Sequence, residues 1–134
     1  MHVFIIAPEN RPGGLATALE AIAQRGVNVM SGGGGAWGDS GAIAIQTNDD
    51  DSTRAALQDS GTNFREVGGT AVAWLEDRPG TLADATRRLA NAGVNIEALV
   101  PVGMESGKVG VLFGVDNPDA ARAALGELMG AAAG

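Results

Sequence analysis

"ENRPGGLATALEAIAQRGVNV", residues 9–29, returns 67 positions later as "EDRPGTLADATRRLANAGVNI", residues 76–96, with 11 of 21 positions identical. A match of this length is an internal duplication, and a duplication constrains the fold before any single element is read. Downstream, "RAAL" at Arg54 recurs at Arg122 with an offset of 68, so the second copy carries one extra residue. The turn where "GDSG" faces "MESGKVG" is the expected place for it. The chain is thus two modules, about 1–67 and 68–134, or one compact body with a pseudo-twofold axis.

Both copies read alike. "VFIIA" and "TAVAWL" are short apolar runs of strand-forming residues. Arg-Pro-Gly then marks a turn, and a helix follows. Leu15, Ala18, Leu19 and Ile22 share one helix face, matched by Leu82, Ala85, Thr86 and Leu89. Thr81 with Asp84 resembles a capping box. Gly26 and Gly93 stand where a left-handed residue ends a helix. "VNVM" and "NIEALVPV" begin a second strand, and "GAIAIQT" and "VGVLFGV" return as a third. A second helix is marked in the later copy by Asn117 as N-cap, with Pro118 and Asp119 in its first turn. "NFREV" closes the first copy as a fourth strand. The order is βαββαβ, a ferredoxin-like α+β module written in tandem. Only "GAAAG" remains at the end of the second copy, so that module is expected to lack its last strand. The open sheet edge this leaves favours a homodimer.

Composition excludes several classes. With no cysteine there is no disulfide or thiol chemistry. His2 is the only histidine, and no carboxylate set has calcium-loop spacing, so neither metal nor other cofactor is expected. Sixteen acidic against nine basic residues give −7, which disfavours nucleic acid. No apolar run approaches the ~20 residues of a membrane span, and "MHVFIIAPEN" lacks the features of a signal peptide. The expectation is a soluble, cytoplasmic protein without a membrane partner.

The stretch Gly33-Gly34-Gly35-Ala36-Trp37-Gly38 fits a GxGxxG dinucleotide pattern, but a turn and another strand follow it. Without a helix N-terminus to hold a pyrophosphate, the nucleotide reading fails. In this strand order Gly32–Gly35 lie on a sheet edge, and their counterparts in the second copy are Leu99, Val100, Pro101 and Val102. Two readings stay open: a loose, bulged edge, or space left for a ligand or opposing module. Trp37 reads as a packing plug, with Met104 in its place in the second copy.

The duplicated loop is the candidate site. Proline fixes φ, glycine permits close approach, and the first N–H groups of the following helix suit a carboxylate. Asn10 offers both a donor and an acceptor to a zwitterion. A tight turn followed by a helix stop explains the same residues without a ligand. No nucleophile–base pair or acid–base constellation is present, so an enzyme is not expected.

These motifs resemble the signature of ACT domains, small regulatory modules that bind amino acids, and most nearly the regulatory domain of phosphoglycerate dehydrogenase. The resemblance covers nearly the whole chain, twice. It implies a free amino acid held between two modules, one giving the loop after its first strand and the other the Asn that starts its second strand. One site would join Asn10, Pro12, Gly13 and Gly14 with Asn95, and the other Asp77, Pro79, Gly80 and Thr81 with Asn28. Arg11, Leu15 and Leu82 flank these positions and complete the set. The dehydrogenase loop carries a histidine where this chain has Pro8 and Leu75, so its serine preference does not carry over. Asp77 in place of Asn predicts unequal sites, with Asn10's the better. A regulated enzyme is the implied partner. The alternative is an adaptor that kept ACT-type oligomerisation and lost the ligand.

Overall fold

A computed structural model describes residues 1–130 of the chain. Two compact units emerge, Met1–Glu66 and Val67–Gly134. Of the final "GAAAG", residues 131–134 lie outside the described part.

Unit 1 runs β1 (Val3–Ile6), α1 (Gly14–Ala23), β2 (Val29–Trp37), β3 (Ser40–Thr47), α2 (Asp50–Ser60) and β4 (Phe64–Val67). Its sheet order is β2-β3-β1-β4, the ferredoxin-like arrangement, with the glycine-rich β2 on an edge. Phe4, Ile6 and Ile45 from the sheet meet Ala18 and Ile22 of α1 and Ala56 and Leu57 of α2 in one buried cluster. Full burial of a side chain such as Phe4 or Ile22 is worth about 1.5–3 kcal/mol each. The face predicted for α1 is the buried one at Ala18 and Ile22, whereas Leu15, at its start, stays exposed.

Unit 2 repeats the plan with β5 (Thr70–Glu76), α3 (Thr81–Asn91), β6 (Ile96–Glu105), β7 (Lys108–Val115) and α4 (Pro118–Leu125). Its sheet is β5-β7-β6, three strands among the described residues. Where unit 1 adds β4 beside β1, unit 2 ends in a 3-10 turn, Gly126–Met129, whose Leu128 and Met129 pack against the core. The Arg122 guanidinium donates to the Thr70 carbonyl at 2.9 Å, giving the β5 end a partner there.

α3 ends as its glycine predicted. Gly93 sits at φ 73°, its N–H reaching the Ala90 carbonyl at 3.0 Å, while Val94 N–H reaches Leu89 at 2.9 Å. That pair of bonds is a Schellman closure. At Asn117, too, the expectation holds: its side chain accepts from Ala120 N–H at 3.1 Å.

Three expectations are corrected. Thr81 forms no capping box: α3 starts at Gly80 in a left-handed conformation, with no side-chain cap. The Thr81 hydroxyl instead donates back to the Glu76 carbonyl at 2.7 Å. Nor does the extra residue of the second copy lie in the hairpin turn, because both hairpins turn through two residues, between Trp37 and Ser40 and between Glu105 and Lys108. It is a β-bulge in β6, where pairing steps from Pro101↔Val111 to Gly103↔Gly110. Proline offers no N–H to the ladder, and Gly103 takes φ 120°, so the local sequence suits a bulge. Past this bulge the residue equivalent to Trp37 in the second copy is Glu105 rather than Met104. Trp37 is no packing plug either; it is 91% exposed.

Candidate functional site

In unit 1 the duplicated corner follows β1. Pro8 cannot donate to the ladder, so pairing with β3 lapses and resumes only as a single bridge between Glu9 and Ser40. The chain then folds tightly: Arg11 N–H donates to the Glu9 carbonyl at 2.9 Å and Gly14 N–H to the Arg11 carbonyl at 3.1 Å. A β-carbon on Gly14 would lie 2.1 Å from the Glu9 carbonyl oxygen, so only glycine fits there without a shift. Asn10 is fastened to the β2–β3 turn, its side-chain nitrogen donating to the Gly38 carbonyl at 2.7 Å. That leaves the Asn10 oxygen as the acceptor it can offer a ligand.

Unit 2 builds the corner differently. With Leu75 where unit 1 has Pro8, β5 pairs with β7 without a break as far as Glu76↔Lys108. Thr81 stands where unit 1 has Gly14, and its hydroxyl holds the Glu76 carbonyl that a methyl group at Gly14 would strike in the other copy. Glu76 and Arg78 form an exposed ion pair at 2.7 Å, and Glu9 and Arg11 form the equivalent exposed pair. Arg78 holds the Glu76 carboxyl below its ordinary value. These braces give the duplicated Glu and Arg a structural role in both corners.

The four helices begin in two ways. At α2 the Asp49 side chain accepts from Ser52 N–H at 3.0 Å, and at α4 Asn117 does the same for Ala120, so these starts are closed by the protein itself. At α1 and α3 the N-cap is a left-handed glycine, Gly13 at φ 87° and Gly80 at φ 93°, and no side chain caps either helix. Beyond Gly14, whose N–H already donates to the Arg11 carbonyl, the Pro-Gly corner therefore leaves first-turn amide hydrogens with partial positive charge and no side-chain acceptor.

Each open start adjoins a cavity within its own unit. In unit 1 it measures about 200 Å³, with Pro8, Glu9, Arg11, Gly14, Thr17 and Asn63 in its lining. In unit 2 it measures about 250 Å³; Glu76, Asp77, Arg78, Gly80 and Thr81 form the polar side, and Leu75, Leu82, Val109 and Val111 the apolar side. Both are smaller than the ~300–1,000 Å³ typical of drug-sized ligands. Of the predicted residues, the structure gathers Arg11 and Gly14 at the first cavity and Asp77, Gly80, Thr81 and Leu82 at the second. Asn10, Pro12, Gly13, Leu15 and Pro79 belong to the same corners without lining the cavities. Sequence reading missed Leu75, Val109, Val111, Thr17 and Asn63. The strand alternation placing Val109 and Val111 on one face was the available signal.

Asn28 and Asn95 lie elsewhere in their units. The ten residues of α1 separate the corner from Asn28 by roughly 15 Å at 1.5 Å per residue. Asn28 N–H donates to the Asn48 side chain, and Asn95 N–H to that of Asp116, both at 2.9 Å. Both are exposed. No group of three metal-ligating side chains occurs among the described residues, and no helix there is long and apolar enough to cross a membrane.

No family model matches the sequence, and no curated protein matches it. Solved structures do. The regulatory subunit of aspartate kinase from Thermus thermophilus, in its ligand-free form, superposes with a TM-score of 0.63 at 21% identity, over 92% of this chain and 86% of its own. The shared fold is two ferredoxin-like α+β modules in tandem. The corresponding subunit from Thermus flavus gives 0.65 at 20% identity, over 96% and 93%. The Bacteroides thetaiotaomicron protein BT0572 gives 0.72 at 23%, over 94% and 86%. At these identities the likeness of this chain to its neighbours is one of fold.

Proposed function

We propose that the chain is a regulatory protein of the ACT family that binds a free amino acid at its Pro-Gly corners and signals through a partner. One observation carries this: α2 and α4 bring their own N-terminal acceptors, whereas α1 and α3 begin at left-handed glycines without one, each beside a small cavity. A ligand carboxylate supplies the missing acceptor. The corner side chains, the Asn10 oxygen in unit 1 and the Asp77 carboxylate in unit 2, suit an ammonium group. In this reading Asn95 and Asn28 complete the sites from another ACT-type module, of this chain or a second copy. The protein acts without catalysis, and the likeness to aspartate kinase regulatory subunits supports an enzyme as its partner. Binding alters that partner only as far as the ligand prefers one of two states.

A thermal-shift screen against the twenty amino acids tests the proposal. A ligand at about 100 times its dissociation constant should stabilise by about 2.7 kcal/mol. Asn10→Ala should weaken the response assigned to unit 1, and Asn95→Ala should do so if that residue closes the site. Silence from all twenty favours the adaptor reading, to which the Glu9–Arg11 and Glu76–Arg78 braces already give a ligand-free rationale.

A further inference from the structure

Resting on the amino-acid reading above, we infer that the unit 2 cavity selects a free amino acid with a branched aliphatic side chain. Three parts of its lining correspond to the three parts of such a molecule. The open start of α3 after Gly80 presents amide hydrogens to the carboxylate. Asp77, exposed at the rim, presents a carboxylate to the ammonium group, while the neighbouring Glu76 is already neutralised by Arg78. The remaining wall is apolar. Leu75 pairs across the ladder with Val109, and Val111 follows two residues on, so the three share one face of the β5–β7 ribbon. Leu75 and Val111 are also part of the buried cluster of unit 2, which makes the cavity wall an outward continuation of the core. Leu82, 42% exposed, adds an apolar edge on the helix side.

Nothing in this wall suits a ligand hydroxyl. Thr81 is the one hydroxyl in the lining, and its hydrogen is directed to the loop's own carbonyls, Glu76 at 2.7 Å and Arg78 at 3.2 Å. A serine side chain seated against Leu75, Val109 and Val111 would lose its water without gaining a partner. The unit 1 cavity lacks this wall. On the equivalent sheet face of unit 1, Ile43 matches Val111, but Pro8 and Gly41 occupy the positions of Leu75 and Val109, and a β-carbon on Gly41 would already lie 3.3 Å from the Pro8 carbonyl oxygen. Thr17, Thr62 and Asn63 line the unit 1 cavity instead. The duplicated corners thus present one backbone device with two side-chain environments, and the aliphatic one belongs to unit 2.

The test is an NMR titration of the full chain with L-leucine, L-valine and L-serine, following Gly80 and Leu82 amide signals and Val109 methyl signals. Leucine or valine should shift these signals and bind about tenfold or more tighter than serine. Val109→Thr preserves shape at a partly exposed position and should erase most of that preference with little change in melting temperature. Serine binding as well as leucine at these signals would overturn the aliphatic assignment while leaving the amino-acid reading intact. Leucine shifting only unit 1 signals would do the same. If no amino acid perturbs either corner, both fall together.

Discussion

Arg54 and Arg122 occupy the same place in the two copies, each pairs with the aspartate three residues earlier, Asp51 or Asp119, and beyond that they do different work. Arg54 grips Glu66 on β4 through two hydrogen bonds, at 2.6 and 2.7 Å, and reaches Asp51 at 2.9 Å. In unit 2 no fourth strand stands there among the described residues, and Arg122 turns to the backbone of β5 at Thr70. The corners diverge in the same manner. Gly14 lets the Glu9 carbonyl approach, and Thr81 grips the equivalent carbonyl of Glu76 with a hydroxyl. A duplicated backbone has kept its path while the side chains that secure it were exchanged. The difference teaches that matched residues in a repeat report matched geometry, and that the contacts have to be established copy by copy.

Exchanging residues between the copies should expose this asymmetry. Gly14→Thr, which copies unit 2 into unit 1, drives a β-carbon into the Glu9 carbonyl and should cost about 3 kcal/mol in urea unfolding. The reverse exchange, Thr81→Gly, removes a hydrogen bond and loosens the chain, for about 1–2 kcal/mol. Equal losses would mean that the two corners are secured alike after all.

Arg54→Ala should cost about 2 kcal/mol, because it takes the main partner from a Glu66 carboxylate whose side chain is only 19% exposed and leaves it the His2 ring. Arg122→Ala should cost about 0.5–1 kcal/mol, the value of one hydrogen bond. The same contrast has a pH signature. Arg54, helped by His2 and opposed by burial, pulls the Glu66 carboxyl down from 4.5 to about 2. A depressed carboxyl contributes stability above its unfolded value, and that stability is lost as pH falls from about 4.5 through about 2. Acid melts of Glu66→Gln should therefore be flatter across this window, by about 1 kcal/mol after allowance for water access. The smallest effect belongs to Trp37. Trp37→Ser should change stability by no more than about 0.5 kcal/mol, since the ring is almost wholly in solvent.

Much of the fold was legible in the sequence, because duplication aligned two noisy patterns and each supported the other. The strand order, the edge position of the glycine run and the caps at Gly93 and Asn117 follow from local chemistry that a sequence displays directly. The bulge in β6 was not legible. Offset arithmetic shows that one residue was added, but only cross-strand pairing shows which ladder step absorbed it. Trp37 misled because a large apolar residue usually packs, and its exposure depends on what lies beside an edge strand. At the site, the corner residues were readable from their special backbone needs. The apolar wall of Leu75, Val109 and Val111 was not, since the same residues serve equally as ordinary core.

The glycine edge of unit 1 has a mechanical consequence. A strand with four consecutive glycines carries few side-chain contacts to hold it against β3, so its hairpin belongs among the parts that open at low free energy. Glu9 and Asn10 are fastened to that hairpin, at Ser40 and at Gly38. Breathing of the edge therefore tugs directly on the first Pro-Gly turn, like a latch mounted on the door it secures, whereas the ribbon of unit 2 has its glycines dispersed and its edge strand keeps side chains from Ile96 to Val102.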